Sequence, residues 1–412
     1  MTKKHVTESD SNQGTLDRRG FLAGATAAGL LIVKPELVAG SQANSKVRMG
    51  IVGCGGRGTW ITELFMKHGG YDLVAAADYF KDRVDGLGDK FKLDPAKRFI
   101  GLSGYKRLLD AKPDVLVIES APYFHPEHAM AGVDAGCHVY VAKPIAVDVP
   151  GCLTIGDAGR KATEKKLCFL VDFQTRTDEF YCEAIRRVHG GDIGPLVSGE
   201  TVYYCGGTWG GADALAADPK NSQNRLRAWG LDRILSGDVI TEQNIHSLDV
   251  CTWIANAHPL KAFGDCSRKG RPDPGDCHGN FSVIYWFPND LLVTFASKQF
   301  GTGYDDIGCR MFGPQGMIET HYTGAVFIRG EKSYKGGKSP HLYSDGAIRN
   351  IADFHAAILK GDHANVTVAP SVRSNLTTIL GRTAAYKKAE VTWDEMMKAA
   401  EKYEFDTRGL VM

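Results

Sequence analysis

Long hydrophobic runs are scarce in this chain. The longest, Phe21–Val33, is too short and too rich in Ala and Gly to span a bilayer. Neither charge is in excess: 49 Lys and Arg against 48 Asp and Glu leave a formal +1. That balance excludes the basic footprint of a nucleic-acid binder or of a protein held on an anionic membrane. No C-x-x-C pair occurs among the ten cysteines, so no zinc site and no other metal is expected. Cys137, Cys168, Cys182, Cys205, Cys251 and Cys309 lie in apolar stretches and read as small core residues. Cys266 and Cys277 bracket a polar loop and leave one disulfide open. Repeats and low-complexity segments are also missing.

What is present begins with an apolar–helical alternation. Val47–Val52, Leu73–Ala77, Val115–Ile118, Val139–Val141 and Phe169–Val171 are short Val/Ile/Leu/Ala-rich runs separated by helix-length segments. They predict an α/β fold: an N-terminal Rossmann-type doubly wound parallel sheet over residues 46–171. Beyond, Leu196–Cys205, Asn280–Phe287, Leu291–Phe300 and Gly308–Phe312 are longer, partly alternating runs, with a turn at Pro288-Asn289-Asp290. They predict a C-terminal α+β domain over 172–370 with a large, open, mainly antiparallel sheet, then a helical segment over 371–412. A chain of 412 residues accommodates two domains.

The first run ends in Gly53-Cys54-Gly55-Gly56-Arg57-Gly58, ahead of a helical pattern. In that context G-x-G-x-x-G is a dinucleotide loop, with phosphates at the helix N-terminus. Asp78, twenty residues on at the end of the second run, is placed to accept from the adenosine ribose hydroxyls. It favours NAD over NADP, although Lys81 and Arg83 keep NADP open. Ser120, Ala121 and His125 follow the third run; His125 either borders the nicotinamide pocket or shapes a loop. Lys143, before Pro144, emerges at the same strand-end crevice. Glu242 and His246 stand i, i+4 on one helical pattern with Asn244 between and Asp249 after, as a base and its orienting acid or as structural groups. Trp209, Arg225 and Trp229 lie in an insertion-like stretch, to grip a sugar or to pack.

Together these residues resemble the Gfo/Idh/MocA family (glucose–fructose oxidoreductase, inositol dehydrogenase and rhizopine catabolism proteins). GCGGRG resembles its cofactor loop, Ser120–His125 its TPNxxH segment, VYVAKP its HVxxEKP, and Ser236–Asp249 its segment ending in D-x-x-x-H. The resemblance implies that Lys143 works at the nicotinamide and substrate hydroxyl, that His246 moves the proton, and that Gln174 and Arg176 reach the substrate. It further implies a homodimer or homotetramer. Ala142 stands where the family usually has Glu, and Glu242 where it usually has Asp. The implied activity is hydride transfer from a sugar, polyol or glycoside hydroxyl to the cofactor. Two alternatives are a redox-neutral NAD-dependent glycoside hydrolase and a cofactor-locked binding protein.

Arg18-Arg19 directly precede the apolar run, and Lys34-Pro35 close it. This predicts a twin-arginine signal over residues 1–43, export of the folded protein to the periplasm by the twin-arginine translocase, and no membrane span in the mature chain. Five basic and four acidic residues would leave with it, and 44 of each sign remain. A periplasm offers no evident pool of free nicotinamide nucleotide, so the cofactor is expected to be tightly bound.

Overall fold

Six short strands build the first sheet: β1 (Val47–Val52), β2 (Tyr71–Asp78), β3 (Arg98–Ile100), β4 (Val115–Ile118), β5 (His138–Ala142) and β6 (Phe169–Asp172). All pair in parallel in the order β3-β2-β1-β4-β5-β6, reversing direction of growth between β1 and β4. The computed structural model describes residues 46–207 and 210–412; the signal-like segment 1–43 and Trp209 lie outside them. Every residue of β4 is buried, as a strand covered on both faces requires. One face packs Met49, Ile51, Val115, Val117 and Tyr140 against the helices Gly56–His68 and Leu342–Lys360.

The parallel registers decide what gathers at the strand ends. Val52 pairs with Ile118, Ile118 with Val141, and Ala142 with Asp172. One step along, Gly53, Glu119, Ala142 and Asp172 form a row across four adjacent strands. Residues of one row share a face of the sheet.

The second sheet has nine strands. β7 (Ser198–Cys205), β8 (Lys261–Ser267), β9 (Asn280–Trp286), β10 (Leu292–Gln299), β11 (Asp306–Gly313), β12 (Gly316–His321), β13 (Ala325–Gly330), β14 (Tyr334–Lys338) and β15 (Val391–Thr392) run in the order β14-β13-β12-β11-β7-β10-β9-β8-β15. All neighbours are antiparallel except β7 and β10. Asn289 and Asp290, both at positive φ, turn β9 into β10, as the type I′ geometry of a tight hairpin demands. Alternate residues of β8, β9 and β10 are buried, so the sheet is apolar on one face and open on the other. The buried face packs on the helices Glu179–His189, Ile245–Ala255 and Val368–Lys387.

Cys266 and Cys277 are not bridged. Cys266 Sγ lies 2.9 Å from His278 Nδ1, whereas Cys277 Sγ faces Ser236 Oγ at 3.5 Å. The two thiols point to different partners. No helix among the described residues is long and apolar enough to cross a membrane.

Candidate active site

Gly53 takes φ +96°, and a Cβ there would lie 2.4 Å from the Glu119 backbone. A Cβ on Gly58 would sit 1.8 Å from the Gly53 carbonyl oxygen. These two glycines are required by the turn itself. Gly55 and Gly56 differ: a Cβ on Gly56 would meet nothing within 4 Å, and on Gly55 only Arg83 at 3.9 Å. Their exposed backbone at an N-terminus with no side-chain cap is free to receive a phosphate. Asp78 accepts from Cys54 N–H at 2.7 Å and Phe80 N–H at 2.9 Å, which fixes its carboxylate at the rim; burial raises its pKa. Gly53, Gly55, Gly56, Arg57, Gly58, Asp78, Ser120 and Ala121 line one cleft of about 510 Å³. Phe80, Arg83, Leu102, Leu226 and Trp229 also line it. A dinucleotide fits these residues: a bare-backbone cradle, a rim carboxylate and an apolar wall.

Cys54 is buried behind the loop, its Sγ donating to Ala77 C=O at 3.4 Å. His125 does not border the cleft. Its ring is buried with Nδ1 2.8 Å from Pro144 C=O and Nε2 2.7 Å from Ser120 C=O. Burial lowers its pKa to about 4, so the neutral ring donates to one carbonyl at a time and ties the two strand-end loops together. His128, which does line the cleft, pairs with Ser120 Oγ at 3.0 Å.

The acid/base groups do not line this cleft; the Lys143-Pro144 turn adjoins it through His125, which bridges the Pro144 and Ser120 carbonyls. Lys143 Nζ donates to Glu242 C=O at 2.7 Å and to its carboxylate at 3.2 Å, with both side chains buried. Burial lowers the Lys143 pKa, against the pull of Glu242. The helical pattern breaks at Gln243-Asn244, between Val239–Glu242 and Ile245–Ala255. Glu242 therefore does not orient the imidazole; its carboxylate takes Lys143 and, at 2.7 Å, the Gln243 amide. It supplies from the second domain the support that Ala142 does not give. His246 is buried, its pKa lowered by desolvation and by the charges of Lys143 and Arg57. Its Nδ1 and both amide atoms of Asn244 are buried without hydrogen-bond partners among the described residues. Unsatisfied buried polar atoms cluster more often at functional sites than in plain packing.

Gln174 comes close through Tyr322, which donates to its Oε1 at 3.3 Å and lies 5.1 Å from the His246 ring. Four other expected substrate contacts face elsewhere. Arg176 and Asp249 are spent on each other at 2.7 Å; Ser374 Oγ also donates to Asp249 and Trp253 stacks on Arg176. A fully buried carboxylate needs that neutralisation. Arg225 pairs with Asp232 at 2.5 Å and lies over Phe405. Trp229 walls the cofactor cleft near Asp78.

Sequence reading missed a buried charge cluster. Arg57 Nε stands 2.9 Å from the Glu119 carboxylate, too misaligned for a hydrogen bond. Its other nitrogens pair with Asp172 and donate to Tyr343 Oη. Asn350 donates to Asp172 at 2.7 Å. Only Ala142 lies between the two acids in the row, and its small side chain leaves room for the guanidinium. A Glu following an apolar run gives no signal of such a partner, because the row exists only once the strands pair.

Two family models match the chain. One, described as the oxidoreductase family with NAD-binding Rossmann fold, covers residues 47–173; the other, the GFO/IDH/MocA C-terminal domain, covers 181–319. Inositol 2-dehydrogenase 2 of Saccharopolyspora erythraea is 26% identical over 294 residues, 69% of this chain and 76% of that protein. A glycosyl hydrolase family 109 protein of Shewanella pealeana is 26% identical over 212 residues, 46% of each chain. The aldose-aldose oxidoreductase of Caulobacter crescentus superposes with a TM-score of 0.66 at 18% identity, over 84% of this chain and 99% of that one.

Proposed function

We propose, from the premise that this chain belongs to the Gfo/Idh/MocA oxidoreductase family, that it oxidises a ring hydroxyl of a cyclic polyol or sugar with a tightly held NAD. Bound in the cleft, NAD would supply the hydride acceptor. The backbone of Gly55 and Gly56 would hold the phosphates and Asp78 the ribose. Lys143, oriented by Glu242 and lowered in pKa by burial, is poised to bind the reacting oxygen and stabilise its negative charge. His246, neutral and with Nδ1 unengaged, takes the proton; Asn244 and Gln174 place the neighbouring hydroxyls.

One observation carries this reading: a buried lysine on its acid, close to an imidazole with a bare nitrogen. The inositol dehydrogenase likeness supports the substrate class. Stretches of likeness to the family 109 hydrolase support a second reading, in which oxidation, elimination, hydration and re-reduction cleave a glycoside with no net redox change. Export to the periplasm and assembly into a homo-oligomer belong to the same proposal. Purified holoprotein incubated with cyclic polyols, sugars and glycosides discriminates the readings. Bound-cofactor absorbance rising with a keto product supports the oxidoreductase. Glycoside cleavage with deuterium entering beside the oxidised carbon, and no net reduction, supports the hydrolase. Neither change across the panel would refute both.

A further inference from the structure

Glu119 lines the cofactor cleft at the end of β4, and neither of its carboxylate oxygens has a well-aligned hydrogen bond among the described residues. Its side chain is wholly buried. The charged groups facing it are Arg57 from the glycine-loop helix, Asp172 from β6 and Lys143 from beyond β5; the phenols of Tyr140 and Tyr343 also adjoin it. With Glu242 included, three acids stand against two cations. An ionised cluster therefore carries one negative charge in excess, beside the place where a nicotinamide ring would lie.

We propose that Glu119 is a proton-holding site linked to the charge of the cofactor: ionised beside the cationic NAD⁺ ring, protonated beside the neutral NADH ring. This rests on the reading that the cleft holds NAD. Burial disfavours the Glu119 anion, the misaligned Arg57 guanidinium 2.9 Å away offsets that only in part, and a nearby positive ring would favour the anion further. Burial already pushes the Glu119 carboxyl up to about 7, with Arg57 pulling it back. When an alcohol loses hydride to the cofactor it also loses one proton. Once His246 has accepted that proton, Glu119 would take it up and return it when hydride goes back, with the cofactor as the sole oxidant and reductant. Asp172 differs in its contacts: Asn350 donates to it and Arg57 pairs with it.

The test needs no substrate. Affinities for NAD⁺ and NADH are measured between pH 5.5 and 8.5 for the wild type, Glu119→Gln and Glu119→Asp. If NAD⁺ selects the ionised acid, the ratio of NAD⁺ to NADH affinity rises with pH, by up to about tenfold per unit near neutrality. Glu119→Gln should flatten this rise and Glu119→Asp should keep it, displaced in pH. Infrared difference spectra on exchanging NAD⁺ for NADH should show a protonated-carboxyl band in the wild type and none in Glu119→Gln. A wild-type ratio independent of pH, or a rise that survives in Glu119→Gln, overturns the proposal. Failure to bind either dinucleotide overturns the functional reading together with it. A clear rise in a protein that oxidises no polyol overturns the substrate reading alone.

Discussion

At the scale of single residues, Lys143 and His246 stood out by position, at a strand end and on a polar helical face, and the family resemblance decided between chemistry and structure for both. Their presence was legible; their pairing was not. Spacing joined Glu242 to His246, whereas the break at Gln243-Asn244 hands Glu242 to Lys143. If His246 carries the substrate proton, His246→Ala should lower turnover about 10²–10⁴-fold with NAD still bound, read by single-turnover absorbance. Wild-type hydride transfer in that variant would move His246 to the scaffold. His128 supports a second prediction. Burial lowers its pKa to about 3, and that of His125 to about 4. Unfolded, both bind protons near 6.5, so between the two values the unfolded chain holds more protons and stability rises with pH. The contribution is complete above about pH 6.5 and declines as pH falls towards 4, by up to ~1.4 kcal/mol per unit for each ring. His128→Gln should reduce the slope of the unfolding midpoint over that range; an unchanged slope would place the linkage on other groups.

At the scale of elements, the parallel strands were legible because full burial makes them short and continuously apolar. β1 and β4 match their expected limits residue for residue. β8 was missed since its buried positions are Ala262, Gly264 and Cys266, too small to show as hydrophobic alternation. β3 has three residues, and β14 reads YKGGK, with no apolar face to detect. Within the glycine loop the motif alone could not divide structural glycines from ligand-facing ones, and the structure does. Gly58→Ala forces a Cβ into the Gly53 carbonyl and should destabilise the protein by about 3 kcal/mol or more. Gly56→Ala has open space and should leave the thermal midpoint near wild type while weakening NAD binding. Calorimetric melting and cofactor titration on both variants check the division. Equal thermal losses would mean that Gly56 also serves the fold.

At the scale of the whole molecule, address and cofactor retention are one argument. An exported enzyme without a pool of nucleotide must keep what it was loaded with, and the segment around residues 210–236 is placed to help. Gly210, Leu226 and Trp229 wall the cleft at its Asp78 end. Arg227 pairs with Asp82 at 2.9 and 3.1 Å and lies 3.9 Å over the Phe80 ring, fastening this segment to the Rossmann layer. Sequence reading left Trp229 open between gripping a sugar and packing, because a Trp-and-Arg-rich insertion looks the same whichever ligand it covers. Replacing Arg18 and Arg19 by Lys should leave folded protein in the cytoplasm, followed by cell fractionation; unchanged delivery would sink the export reading. Protein purified without added nucleotide should release about one NAD or NADH per chain on denaturation. Arg227→Ala removes a half-exposed ion pair worth ~0–1 kcal/mol and a ring contact of about the same size. Its cofactor should leave roughly three- to tenfold faster on dilution, while turnover per bound cofactor stays near wild type, since Arg227 touches neither Lys143 nor His246. Release no faster than wild type would mean that the segment merely packs beside the cleft, and retention would then rest on the glycine loop and Asp78.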